Sequence, residues 1–393
     1  MDEPFIQRLG RAGLPPLTVT QRCRLVTSGH HPAPMDIYPG GVTVPGGIRT
    51  LSVPSIALGL VLTAGCTAAP DQSQQNSEGL PPDCTRTITR SDDVRPVLAA
   101  ASPGSTVCFT GSNLTDADVT MTRSGTIDSP IRLIADGATI NNMHITADHV
   151  VIEGFTVTGG DGILLEGTGI TAQRNTIHDT QRGGITCMPC TDSTIASNTM
   201  QHVSTAGIYI TGQRITVTGN TVSDTVARDD GDADGMRFFG TGHRITGNTI
   251  RDISDRGYRA PPHPDCFQTF DHSPPTYDVV ISGNTCRNVD AQCLIATDDQ
   301  PGSSGAPSGT PSITFVDNTC APNGAQAINL RRWPNVEIRQ NRFSGPHLDR
   351  AILIIDGSTG CTVIGNTTAG NGRILEIDGA SRPGFRESDN SPA

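Results

Sequence analysis

An Asn-Thr pair, or a close variant, recurs at Asn175, Asn198, Asn220, Asn248, Asn284, Asn318, Asn341 and Asn366. Asn175 to Asn198 spans 23 residues and Asn198 to Asn220 spans 22. Before each marker runs an alternating strand such as ITVTGN or VVISGN, and after it a second such as TVSDT. A third follows: GILLE, GITCM, GIYIT, GMRFF, CFQTF, CLIAT, AINLR, AILII. Three short strands per turn, with no helical periodicity, predict an all-β parallel solenoid of three stacked sheets. Asn suits the bend because it tolerates a left-handed backbone and its amide can bond its stacked neighbours.

The third strand aligns column by column. A small column holds Gly162, Gly184, Gly207, Gly235, Cys266, Cys293, Ala327 and Ala351. The next, Ile163, Ile185, Ile208, Met236, Phe267, Leu294, Ile328 and Ile352, must point inward. The one after, Leu164, Thr186, Tyr209, Arg237, Gln268, Ile295, Asn329 and Leu353, must point outward. On this repeat residues 84–380 resemble the right-handed parallel β-helix proteins of the pectate-lyase-like superfamily. That resemblance implies a single-stranded right-handed parallel β-helix. It also implies a polysaccharide partner, since the group includes lyases, glycoside hydrolases and alginate epimerases besides non-catalytic members.

The ends read differently. Leu51–Gly65 is an apolar run closing on Leu62-Thr63-Ala64-Gly65-Cys66, which resembles a bacterial lipobox with Cys66 as the lipidated residue. Residues 1–65 are then a removed leader, and 66–83 a Pro-, Ser- and Gln-rich tether. This places the protein on the outer face of the bacterial membrane, held only by lipid, or secreted, as a monomer. A short N-terminal helical cap is expected near Asp92–Ala101, bracketed by a Cys84–Cys108 disulfide, and residues 381–393 read as a disordered tail. Within the coil, Cys266 with Cys293 and Cys286 with Cys320 share columns, so either disulfides or packed thiols fit. Cys187 and Cys190 read as a local structural bridge. The net charge of −11 leaves no basic field for nucleic acid.

The repeat breaks where chemistry gathers. The marker lies ten residues before the inward apolar residue in several coils, but Asn220 to Met236 is 16 and Asn248 to Phe267 is 19. Two insertions therefore enter one edge in adjacent coils, and DHSPPTYD and DDQPGSSGAPSGTPS lengthen the opposite edge. Loops walling both ends of one strand face describe a groove over 220–332. Asp232, Asp234, His263 and Asp265 fall on one rim, beside Arg256 and Arg259. Arg237 and Gln268 rise from the floor, with Asn329 and Arg331 two coils on. Tyr209 and Trp333 are placed to stack sugar rings.

Two reactions suit this set. Uronate elimination needs a base and cations, for which His263 and Arg237, Arg256 and Arg331 serve; no Lys exists in the chain. Asp232, Asp234 and Asp265 can alternatively form a Ca²⁺ site. Glycoside hydrolysis would use Asp234 and Asp265 as an acid and base or nucleophile pair, about 5 Å apart on adjacent coils. Pro262-His263-Pro264-Asp265 resembles the Asp-Pro-His-Asp of alginate epimerases, whereas the Gly-His-Gly and Arg-Ile-Lys motifs of polygalacturonase-type hydrolases are absent. The alternative to catalysis is a glycan-binding or structural surface protein.

Overall fold

The computed structural model describes residues 83–228, 231–299, 305–370 and 372–392. The leader, Cys66 and nearly all of the tether lie outside them. The described chain winds into a right-handed parallel coil. Sheet 1 stacks thirteen strands, from Arg86–Ile88 to Arg386–Ser388. Sheet 2 includes Thr176–His178, Thr199–Gln201, Thr221–Ser223, Thr249–Ile253 and Thr285–Val289. Sheet 3 includes Ile185–Thr191, Thr205–Gln213, Ala233–Thr241, Phe267–Phe270, Leu294–Thr297 and Gln326–Arg331. Long strands Thr139–Thr146 and Thr156–Thr168 turn from sheet 2 into sheet 3 without a break.

The inward column of sheet 3 pairs in the expected register from Ile163 to Ile352. Because strand side chains alternate, each turn sends one apolar residue per position into a shared core. The small column marks a close approach. A Cβ on Gly207 would meet Val222 at 2.3 Å, and one on Gly235 would meet Ile250 at 2.3 Å, so the inward residues of sheet 2 fill that corner. At the N-terminus the helix Ser91–Ala99 buries Val94 and Leu98.

The Asn markers form one continuous ladder at the bend between sheets 1 and 2. From Asn175 through Asn366, each backbone N–H and each Nδ2 donates to Oδ1 of the next rung at 2.8–3.1 Å, ending on Asn390. The same Nδ2 donates to a carbonyl of the preceding coil, as Asn248 does to Val217 at 3.0 Å. Asn175 through Asn366 are all buried. The left-handed backbone, expected on Asn, falls one residue earlier: Arg174, Ser197, Gly219, Gly247, Gly283, Asp317, Gln340 and Gly365. Gly often fills that position because it adopts positive φ without a Cβ clash. The Asn side chain is thereby free to point inward and bond.

Two further expectations are corrected. Residues 386–392 are not a disordered tail: Arg386–Ser388 and Ser391–Pro392 pair with the coil before them. Cys84–Cys108 and Cys187–Cys190 are disulfides as expected, but the column partners do not bond. Cys286 instead lies across the corner within disulfide reach of both Cys266 and Cys293, at Cα separations of 6.0 and 5.8 Å. The cause is the small column, whose Cβ atoms point at sheet 2 rather than along the stack. Sulfur valence allows Cys286 one of these partners at a time, and Cys320 is a buried free thiol.

Asn248→Ala strands the backbone N–H of Asn220 and the carbonyl of Val217 inside the core. The expected cost is about 1–3 kcal/mol for each buried group left unpaired. A urea denaturation midpoint equal to wild type would contradict the ladder's role.

Candidate active site

The strand Ala233–Thr241 starts at the end of the first insertion, and Phe267–Phe270 starts at the end of the second. Asp234 and Asp265 stand at the corner where each chain enters sheet 3. Asp265 N–H donates to Asp234 Oδ1 at 3.0 Å, and Gln292 N–H donates to Asp265 Oδ1 at 2.8 Å. One oxygen of each carboxylate thus joins successive coils. The other holds a cation: Arg237 Nε donates to Asp234 Oδ2 at 2.6 Å, and His263 Nδ1 lies 2.9 Å from Asp265 Oδ2.

Asp232 completes the cluster. Arg237 Nη2 donates to its Oδ2 at 2.7 Å, and the His263 backbone N–H donates to its Oδ1 at 3.0 Å. The Ala227 amide also donates to the Tyr258 hydroxyl at 3.1 Å. These bonds tie the two insertions together, so their side chains are fixed against each other.

Burial reassigns the expected roles. Asp234 and Asp265 are 0% exposed and cannot touch a polymer lying in the groove, so they are not the acid and base pair. The His263 side chain is 54% exposed and that of Asp232 is 28% exposed. Those two groups face solvent, with the buried carboxylates behind them. Burial raises Asp234 well above the usual carboxylate range; Arg237 opposes this, while Asp232 and Asp265 add to it. Burial also raises Asp265, against the pull of His263. For His263 the hydrogen bond to Asp265 outweighs burial and lifts the imidazole to about 9. At neutral pH His263 is therefore an imidazolium, a proton donor rather than the base expected from its ordinary pKa.

The remaining expected residues divide. Gln268 joins the cluster, with Nε2 at 3.5 Å from Asp265 Oδ2. Tyr209 is level with Arg237 in the neighbouring coil, half-buried, its hydroxyl pKa raised by burial. Arg256 and Arg259 are exposed on the second insertion. Asn329 shares the outward column, but Arg331 donates to Asp356 at 2.8 Å, toward the following coil. Trp333 is 2% exposed and belongs to the core, so it stacks on no sugar. It follows the sheet 3 strand Gln326–Arg331, and its backbone N–H donates to Ser358 Oγ at 3.0 Å. The three carboxylates do not fit a Ca²⁺ cage, because Arg237 or His263 already pairs with one oxygen of each and a backbone N–H donates to the other. Two features escaped the sequence reading: Gln292 as the partner of Asp265, and an aromatic group of Phe239, Phe270 and His272. The doublet Phe238-Phe239 was its only sequence signal.

Arg237→Met leaves Asp234 buried without its cation, which costs about 3–5 kcal/mol near neutral pH. As pH falls, Asp234 takes a proton and the penalty shrinks. Urea midpoints should thus differ from wild type more near pH 8 than near pH 5; an equal loss at both would contradict the pairing.

The family described as right handed beta helix region matches residues 131–261 and, overlapping them, 161–368. No curated protein matches the sequence. Among solved structures, the catalytic unit of a GH87 α-1,3-glucanase from Streptomyces thermodiastaticus superposes with a TM-score of 0.54 at 14% identity, covering 79% of this chain and 69% of that one. The A-module of an Azotobacter vinelandii mannuronan C-5 epimerase gives 0.53 at 12% identity, covering 77% and 90%. The tailspike protein of E. coli bacteriophage HK620, in complex with pentasaccharide, gives 0.51 at 12% identity, covering 77% and 61%. At such identities the likeness is one of fold.

Proposed function

This chain belongs to the right-handed β-helix family, and we propose that it cleaves a glycosidic bond of a neutral polysaccharide, using His263 as proton donor. The observation that carries this reading is a half-exposed imidazole fixed through Nδ1 to a fully buried carboxylate, which leaves Nε2 free to act as the donor. His263 Nε2–H gives its proton to the glycosidic oxygen as the bond to the anomeric carbon breaks. Asp232, the exposed carboxylate, takes a proton from the attacking water. Asp265 and Asp234 act behind them, the first setting the charge of His263 and the second holding Arg237.

Elimination from a uronate fits less well. It needs a base to remove a ring proton, and His263 stays protonated up to about pH 9. It also needs a free cation for the substrate carboxylate, whereas Arg237 is shared between Asp232 and Asp234. A polysaccharide-acting protein is consistent with the structural neighbours, which include a glucanase and an epimerase. A second reading, a non-catalytic glycan binder, is favoured by one fact: both buried carboxylates already serve the backbone. The disulfide Cys84–Cys108 supports a location outside the cytoplasm, in keeping with the lipid anchor expected at Cys66.

The test is a panel of neutral and uronate polysaccharides, read for new reducing ends and for ultraviolet absorbance of unsaturated sugars. Reducing ends without absorbance are expected, with kcat steady through neutral pH and falling near pH 9 as His263 loses its proton. His263→Gln should lower kcat about 10²–10⁴-fold. Rising absorbance would replace hydrolysis by elimination, and silence across the panel would leave the binding reading.

A further inference from the structure

Beside the outward column of Tyr209, Arg237 and Gln268 runs a second one, two residues further along each strand: Thr211, Phe239, Phe270 and Thr297. Outward positions on an exposed sheet need no aromatics, and this chain contains few. Here Phe239 is wholly buried, with Phe270 edge-on at 4.8 Å, His272 tilted at 4.6 Å and Tyr209 at 5.5 Å. Tyr209, Phe270 and His272 surround it and each keeps part of its surface open.

We propose that Tyr209, Phe270 and His272 form a stacking subsite for a neutral hexopyranose ring, one sugar away from the bond cleaved at Asp232 and His263. The inference rests on the proposed hydrolysis and adds the position and kind of sugar held. Gln268 and Phe270 lie on the same face two residues apart, about 6.5 Å along the strand, so the aromatic group borders the polar cluster. The apolar C–H face of a pyranose matches an aromatic surface, whose negative face attracts polarised C–H groups. A charged sugar is disfavoured, since three carboxylates stand against Arg237 and His263 in the adjoining site. Burial lowers the pKa of His272, so it presents a neutral ring at neutral pH.

The experiment uses the full chain with α-1,3-glucan, laminarin, xylan and alginate as probes, measuring retardation in polysaccharide-containing gels and hydrolysis kinetics. Phe270→Ala should weaken retardation by a neutral glucan or xylan and raise KM about tenfold, with most of the loss in KM rather than kcat. Phe270→Leu, which keeps the packing but not the aromatic face, should do the same, and Phe270→Tyr should restore binding. His263→Gln should lose turnover while still being retarded. If Phe270→Leu binds and turns over as wild type while His263→Gln is inactive, the subsite is wrong and the hydrolase reading stands. Retardation by alginate alone overturns the neutral-sugar assignment. If wild type is neither retarded by any probe nor active on one, both readings fall.

Discussion

The structure depends on the buried amide ladder. Each Asn side chain satisfies a backbone N–H of one coil and a carbonyl of another, at a corner no water reaches. A coil of about 22 residues buries little by itself, so its stability comes from its neighbours. The ladder makes those neighbours stack in one register, and a one-residue slip would turn every inward side chain outward. Insertions between sheets 2 and 3 leave that corner untouched. The spacing between rungs grows from 22 residues to 36 between Asn248 and Asn284, while the hydrogen bonds stay at 2.8 and 3.0 Å.

The candidate site repeats the ladder's chemistry at a second corner. Asp234 and Asp265 each use one oxygen to receive an N–H from the next coil, as the Asn Oδ1 atoms receive one from the coil before. A carboxylate in that role brings a charge that burial makes costly. Arg237 and His263 offset it, and His263 reaches the surface in doing so. Arg237 and His263 are thus held in place by two buried carboxyl groups. This explains why the imidazole and Asp232, rather than the buried pair, meet solvent.

Much of the fold was legible because stacking obliges every coil to repeat the same pattern. The inward column from Ile163 to Ile352 and its outward neighbours could be aligned from spacing alone. The site was legible as a break in that spacing, which located Asp232, Asp234, Arg237, His263, Asp265 and Gln268 together. Burial was not legible. Asp234 and Asp265 look like rim residues in the sequence, yet the corner geometry folds them under. Trp333 looks like a platform for a sugar, yet it caps the core beyond its strand. The cysteines were misread because column sharing shows which Cα atoms are neighbours, not where Cβ points. Phe270 was hidden because it belongs to an outward column that carries no repeated residue type, and His272 because it lies in the loop after that strand.

The most direct test of the account follows the His263 imidazole by NMR as pH is raised, in wild type and in Asp265→Asn. The account predicts titration near pH 9 in wild type and a fall toward the ordinary value of about 6.5 when the buried charge is removed. An imidazole that titrates near 6.5 in both proteins would show that Asp265 does not hold the proton. His263 would then be neutral in the groove, and the proton-donor role assigned to it would fail.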